Sequence, residues 1–405
     1  MAPTVDTPRP VSQSFSQTLG ALIFLAFLFF LNFNARVIFA PLLPGIGQEY
    51  GLDHGGAGSF FLLISFGYFL SILASPLVAV RLGHKLTIVL SVVSSGLVLI
   101  LPLFLSSILS LRLILFSLGL AAGLYLPSAL ATITTLVAPA WWGRGMAIHE
   151  LAPNLGFVAA PLLVTGMLMI GTWQQGLALL GLVMVACGLL YGIRGQGGNA
   201  PVEVPDLAGI KTVVRRPAFW LMMFLFSLGI CSTIGIYAML PLYLVAEHNL
   251  ESDVANRLLA MSRMASVVMP LAAGWLGDRF GNRLLMASVL FITALLTLGI
   301  AWSSGAWVIF FVFVQPLIAV CFFPSGFAIL AGIGNSKRGN LTVSLCIPTA
   351  FLVGGGGVPM LIGELGDILS IGTGIAGTGL LILVGSGLAF VYAVQNSNNK
   401  RAAAH

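Results

Sequence analysis

Gly274-Trp275-Leu276-Gly277-Asp278-Arg279-Phe280-Gly281-Asn282-Arg283 is a polar turn between two long apolar runs, and its second half has a counterpart earlier in the chain. Arg81-Leu82-Gly83-His84-Lys85 precedes Arg279-Phe280-Gly281-Asn282-Arg283 by 198 residues. Tyr125-Leu126-Pro127-Ser128 precedes Phe322-Phe323-Pro324-Ser325 by 197, and Glu49 and Leu52 precede Glu247 and Leu250 by 198. A period of almost half the 405-residue chain is too long for a solenoid unit, so it marks two similar halves.

Composition says what surrounds those halves. The chain is 58% hydrophobic and 7% charged, with a mean hydropathy of +1.05. Soluble domains carry roughly 25% charged residues, so this chain cannot build a wetted surface and lipid must be its solvent. No stretch is long enough for a separate soluble domain. The net charge of +6 does not point to nucleic acid, because the basic residues are spread over several short loops. Cys187, Cys231, Cys321 and Cys346 lie inside apolar runs without metal-ligand spacing. They read as small packing residues, and no metal site is expected. There is no P-loop, nucleophile motif, zinc motif or dinucleotide fingerprint, so neither an enzyme nor a cofactor is expected.

A span needs about 20 apolar residues. Runs bounded by charges, Gly and Pro place twelve of them at about 19–46, 57–80, 86–108, 110–137, 145–170, 173–194, 218–246, 254–277, 284–303, 306–333, 340–364 and 370–395. Isolated spans of this length satisfy their backbone only as helices, so the class is an all-α polytopic membrane protein with two six-helix halves. Segment 1–18 is a polar tail, 19–194 the first bundle, 195–217 a Gly- and Pro-rich central loop, 218–395 the second bundle and 396–405 a second tail. The first run is too long for a signal-peptide core and reads as a retained span. With the N-terminus inside, 14 of the 18 Lys and Arg fall in inner segments, a strong positive-inside bias that puts both termini in the cytoplasm. Ile210-Lys211-Thr212-Val213-Val214-Arg215-Arg216-Pro217 reads as a short interfacial lead into the seventh span. An apolar chain of two similar halves is the build of a secondary transporter, with its substrate between the halves near the midplane.

The chain resembles the major facilitator superfamily over nearly its whole length. The resemblance rests on the six-plus-six layout, the central loop, and Gly274–Arg283, which is similar to the superfamily's G-x-L-x-D-R-x-G-x-R/K loop. The first copy, Pro76-Leu77-Val78-Ala79-Val80-Arg81-Leu82-Gly83-His84-Lys85, has Val80 where the family has Asp. The inner-gate salt bridge implied by the resemblance is therefore expected around Asp278 and doubtful in the first half. Asp278, Arg279 and Gly281, with Arg81 and Gly83, are the gate residues it implies. It also implies a cavity lined by spans 1, 2, 4, 5, 7, 8, 10 and 11, alternating access, and a functional monomer.

Two arginines stand out within spans: Arg36 in the first and Arg263 in the eighth. Arginine stays protonated and costs about 2.5–3.5 kcal/mol at a helix centre on insertion scales, so each must face a wet cavity or a partner. In the resembled fold they would come one from each half and face the same site. Paired guanidinium groups suit bidentate binding of carboxylate, phosphate or sulfonate. Internal pairing with a carboxylate or with backbone carbonyls is the competing reading, and mid-span acids are scarce, with Glu150 the main candidate. Asn32, four residues before Arg36, shares its helical face. Tyr68, Tyr125, Tyr237 and Gln315 are neutral polar candidates for the cavity wall, with ordinary packing as their alternative.

His149 and Glu150 lie about five residues, or roughly 8 Å, inside the fifth span. Either could carry a coupling proton, or make a gate hydrogen bond instead. Adjacent helical residues point about 100° apart, so one of the two is expected to face the cavity. Pro127 and Pro324 are expected to bend equivalent helices. Gly156–Pro161 loosely resembles the G-x-x-x-G-P element of drug antiporters, with Ala160 at the second Gly. Gly354-Gly355-Gly356-Gly357 reads as a flexible or closely packed gate segment. The leading reading is a proton-coupled symporter of a small organic anion, a carboxylate first, in a bacterial inner membrane, with substrate, proton and lipid as its partners. An efflux antiporter for drugs or metabolites is the alternative.

Overall fold

The computed structural model describes residues 15–202, 207–333 and 336–402. Positions 1–14 with Arg9, and 203–206, 334–335 and 403–405, lie outside the described residues, as do the side chains of Lys337, Arg338, Lys400 and Arg401. In chain order the helices are α1 (Phe15–Val37), α2 (Phe39–Tyr50), α3 (His54–Ile100), α4 (Ile108–Gly123), α5 (Tyr125–Leu136), α6 (Trp142–Ile170), α7 (Trp173–Arg194), α8 (Leu207–Val214), α9 (Pro217–Ile230), α10 (Ile236–Ala246), α11 (Ser252–Met264), α12 (Met269–Phe280), α13 (Asn282–Trp302), α14 (Ala306–Ala319), α15 (Phe322–Ala331), α16 (Ser336–Ala350), α17 (Val358–Ile368) and α18 (Ile371–Ala402). π-Helical turns at Cys231–Gly235 and Phe351–Gly357 join α9 to α10 and α16 to α17. Among the described residues no strand occurs.

These helices account for the expected crossings. Ten stretches are long and apolar enough to span, and the pair α11–α12, bent by 40°, makes up to eleven. One stretch, His54–Leu103, has 50 residues, which at 1.5 Å per residue is about 75 Å, over twice a hydrocarbon core of about 30 Å. It breaks at Gly83, where φ is 76°. A residue with a Cβ avoids that conformation, so glycine makes the turn between two spans. Gly281 repeats the device with φ 90° between α12 and α13. The bend in the α11–α12 span has a proline behind it: Pro270 lacks an N–H and crowds the carbonyl four residues earlier.

The repeated residues do the same jobs in both halves. Glu49 accepts from Trp173 Nε1 at 2.6 Å, at the start of α7. Glu247 accepts from the backbone N–H groups of Ile371 and Gly372, at the start of α18. His84 meets Ser128 at 3.2 Å, and Ser325 donates to Asn282 at 3.2 Å. The repeat is therefore a repeat of tertiary contacts: each of these carboxylates ties the first span of its half to the last, and each polar turn is tied to the helix of the Pro-Ser element. Pro127 and Pro324 lie just beyond equivalent helix breaks, at Leu124 and at Val320–Cys321.

The halves meet in two zones. On the face opposite the basic turns, the N–H groups of His54 and Gly55 donate to Asp367 at 2.8 and 2.7 Å, and His54 Nδ1 lies 2.9 Å from the same carboxylate. There Asn256 also reaches the carbonyl of Pro41 at 3.5 Å. Deeper in, Tyr237 donates to the carbonyl of Phe157 at 3.3 Å.

Candidate functional site

Arg36 stands in the last turn of α1, just before the break at Ile38. It is 8% exposed, and its guanidinium lies 4.1 Å from the ring centroid of Tyr68 and 5.4 Å from that of Phe33. Arg263 closes α11 ahead of the Pro270 bend and is 3% exposed. It donates to the carbonyl of Thr233 at 2.9 Å and lies 4.7 Å from the ring of Phe157 and 5.1 Å from that of Tyr237. One aromatic wall joins the two: Phe33 meets Phe157 edge-on at 4.9 Å, and Phe157 meets Tyr237 at 4.8 Å. The arginines thus grip opposite ends of a wall built from both halves.

Between the halves lies a cavity of about 30 Å³, lined by Phe33, Arg36, Phe61 and Ser65 on one side and Tyr237 and Phe351 on the other. A water needs about 10–15 Å³, so this space holds a water or two and no organic molecule. The space between the halves is collapsed here.

The arginines are incompletely compensated. Among the described residues, neither pairs with a carboxylate, and the Nε of each is buried with no hydrogen-bond partner. Each guanidinium meets two aromatic faces, each worth about 0.5–2 kcal/mol to a cation, set against roughly 2.5–3.5 kcal/mol for burying an arginine in a span, and Arg263 adds its bond to the Thr233 carbonyl. What each arginine still lacks is an acceptor for its Nε. Of the internal partners weighed from sequence, no carboxylate pairs with either arginine among the described residues, whereas a backbone carbonyl, that of Thr233, accepts from Arg263.

The other sequence-named residues are placed as follows. Tyr68 and Tyr237 belong to the arginine cluster. Asn32 turns toward its own half, donating to the Ala122 carbonyl at 3.2 Å and to Ser91 at 3.5 Å. Tyr125 donates to the Leu25 carbonyl at 2.6 Å. Gln315 donates to the Ser232 carbonyl at 2.8 Å. These three brace single halves and do not line the cavity. His149 is 1% exposed, stacked on Phe29 at 4.4 Å, with Nε2 3.4 Å from the Tyr125 hydroxyl and Nδ1 3.4 Å from Glu150. The Glu150 side chain is 55% exposed. It shares a strip of α6 with Ala147 and Asn154, apart from the exposed Leu151 and Leu155. On the basic face Asp278 is exposed and has no ion-pair partner among the described residues. Arg279 lies 5.5 Å from the Trp275 ring. Arg81 is exposed beside the Gly83 turn, as Arg279 is beside Gly281.

Sequence reasoning missed the first π turn. A π turn takes its backbone bonds one residue further than an α-helix and loosens the ladder. The Ser232 and Thr233 carbonyls in Cys231–Gly235 are the ones that accept from Gln315 and Arg263. The faint signal was Gly229 with Ser232 and Thr233, whose hydroxyls both bond back to the Gly229 carbonyl. The four-glycine run lies in the second π turn. It is closely packed: a Cβ on Gly356 would lie 2.7 Å from Ser65 Cβ in the other half, and one on Gly235 would lie 2.6 Å from the Gly354 carbonyl. Phe33, Phe61, Phe157 and Phe351 were also passed over, because phenylalanine is unremarkable in an apolar span.

The family model described as Major Facilitator Superfamily matches residues 25–339. The chain is 24% identical over 295 residues to "Probable sulfoacetate transporter SauU" of Cupriavidus necator, covering 66% of this chain and 68% of that protein. It is 27% identical over 296 residues to "Multidrug resistance protein MdtG" of Citrobacter koseri, covering 69% and 71%. In structure it is similar to a bacterial homolog of the human lysosomal transporter Spinster, in an inward-facing and unoccupied conformation, with TM-score 0.82, 14% identity, and 94% and 97% of the chains covered. With the paired polar turns, the repeated ties and the six-plus-six layout already in hand, a match over residues 25–339 settles the kinship: the chain belongs to the Major Facilitator Superfamily.

Proposed function

We propose that this transporter carries a small organic anion, a carboxylate or sulfonate, through a site gripped by Arg36 and Arg263. The observation that carries the reading is the pair of buried guanidinium groups, one from each half, on one aromatic wall and without a carboxylate partner among the described residues. The fork of arginine matches the planar or trigonal oxygens of such anions. The relative whose name specifies sulfoacetate supports the same chemistry. Two six-helix bundles, 19–194 and 218–395, rock about this site, joined by segment 195–217. The basic face is cytoplasmic, in the bacterial inner membrane, with both termini inside and the monomer as the working unit. The bonds to Asp367 close the outer side, and with the central cavity collapsed the protein is in an occluded state. A proton travels with the anion: Glu150 takes it on the exposed strip of α6, and His149 holds Glu150 in place from behind.

Export of amphipathic drugs is the second reading, favoured by the aromatic lining and by the multidrug relative. A thermal-shift screen of the purified protein separates the two, using carboxylates, dicarboxylates, sulfonates, phosphates and cationic drugs below and above neutral pH. A ligand that binds only the native state raises Tm with its affinity. Stabilisation by one anion class that disappears in Arg263→Ala supports the anion site. Stabilisation by cationic drugs alone rejects it and puts export first.

A further inference from the structure

A second, open groove is remote from the arginine cluster. It lies on the basic face of the second half, has a volume of about 810 Å³, and is lined by Arg216, Phe280, Asn282, Arg283, Ile329 and Tyr392. Pseudo-symmetry identifies its counterpart in the first half, where Lys85, Thr132 and Leu136 stand for Arg283, Ile329 and Ile333 at the repeat spacing of 198 or 197 residues. That counterpart is filled by the chain itself. Helix α7 stops at Arg194, and Gly197 and Gly198, with φ of 82° and 90°, fold back over it. They sit so close that a Cβ on Gly198 would lie 2.8 Å from the Lys85 backbone nitrogen, and one on Gly197 2.8 Å from Thr132. In the second half α18 runs straight on to Ala402. Among the described residues it makes no such return, and none of them fills the groove.

We propose that this groove holds the phosphate of an anionic glycerophospholipid between Arg216 and Arg283. Both side chains are placed to receive it. The Arg283 guanidinium lies 4.8 Å from the Tyr392 ring; that stacking uses its face and leaves the N–H edge for an anion. Arg216 gives one N–H to the Ile333 carbonyl, out of the five a guanidinium carries. Lys211 and Arg215 are exposed on the approach from α8, and a cluster of basic side chains at a cytoplasmic boundary attracts anionic lipid. The rim argues for a lipid over a free anion. Phe280 is 57% exposed, Leu284 48% and Val394 57%, and all three line the groove, giving it apolar surface suited to acyl chains. Trp220 stands exposed at the same boundary with its Nε1 donating to the Val214 carbonyl at 2.7 Å, as interfacial tryptophans do.

The test uses the full chain purified in a neutral detergent, with melting followed against dioctanoyl phosphatidylglycerol, dioctanoyl phosphatidylcholine, glycerol 3-phosphate and inorganic phosphate. Phosphatidylglycerol is expected to raise Tm by a few degrees at tenfold its Kd, and the other three to leave it unchanged. Arg283→Gln removes the charge. Ala328→Trp fills the groove from an exposed position while keeping both arginines. Each should abolish the shift, and the second decides the matter if the first does not fold. Equal stabilisation by phosphatidylcholine, or a shift that survives Ala328→Trp, overturns the proposal. A response to free phosphate as large as that to phosphatidylglycerol makes this a soluble-anion site and overturns the lipid.

Discussion

At the residue scale, charge and geometry can be separated in Arg263. Arg263→Lys keeps the cation but loses the planar fork that reaches Thr233 and lies along Phe157 and Tyr237. Substrate affinity should fall about tenfold or more, which is about 1.4 kcal/mol or more, with melting of the unliganded protein nearly unchanged; isothermal titration against the stabilising anion measures it. Glu150 carries the second prediction. A carboxylate on the exposed strip of α6 can take and release a proton, whereas Glu150→Gln is fixed in the neutral form. Proteoliposomes of that variant should lose accumulation driven by a pH gradient yet keep counterflow exchange. Retained uphill accumulation would remove Glu150 from the coupling. Arg36, Arg263, Tyr68, Tyr237, His149 and Glu150 were all legible in the sequence, because a polar group inside an apolar run must have a reason. The phenylalanines around them were not, since their role comes from which faces meet and not from their chemistry.

At the element scale, the outer end of α3 is tied to α17 by Asp367, which accepts from His54 and Gly55 at a helix N-terminus. Asp367→Asn removes the negative charge that holds two backbone donors and the imidazole. The outer face should then open more often. Spin labels at Ser106 and Glu251, one on each half, would report it as a growing population at longer distance. The π turn Phe351–Gly357 gives a prediction in which two effects have opposite sign. In an open helix Gly→Ala stabilises by up to about 1 kcal/mol. At Gly356 the new Cβ would press on Ser65 Cβ at 2.7 Å and on the backbone of Leu62 and Phe61 at 3.0 Å. Contact with backbone of the other half should win, so Gly356→Ala is expected to cut transport at least tenfold while the protein still folds. Gly20→Ala, whose Cβ meets nothing within 4 Å, serves as control. The four glycines could be read as unusual in the sequence, but which of them touches the other half depends on how the bundles dock.

At the scale of the whole molecule, the collapsed cavity of about 30 Å³ and the halves joined on the face opposite the basic turns describe a transporter closed on that face, which the proposed orientation puts outside. Asn154→Cys should therefore react with a membrane-impermeant maleimide added from the cytoplasmic side of inverted vesicles and resist the same reagent added from outside to whole cells. Reaction from outside alone would reverse the assigned orientation. The sequence by itself determined the solvent, the helical class, the two-half build and the kinship, because those follow from hydropathy, span length and a repeat of 198 residues, which are all properties along the chain. It also marked the residues that lipid cannot accommodate. Tertiary structure decided the rest: that Asn32, Tyr125 and Gln315 brace single halves, that Arg36 and Arg263 share one aromatic wall, and that Cys231–Gly235 loosens into a π turn against Gly354. Each of these depends on contacts between elements tens to hundreds of residues apart, and local sequence carries no record of which face of a helix a distant helix will cover.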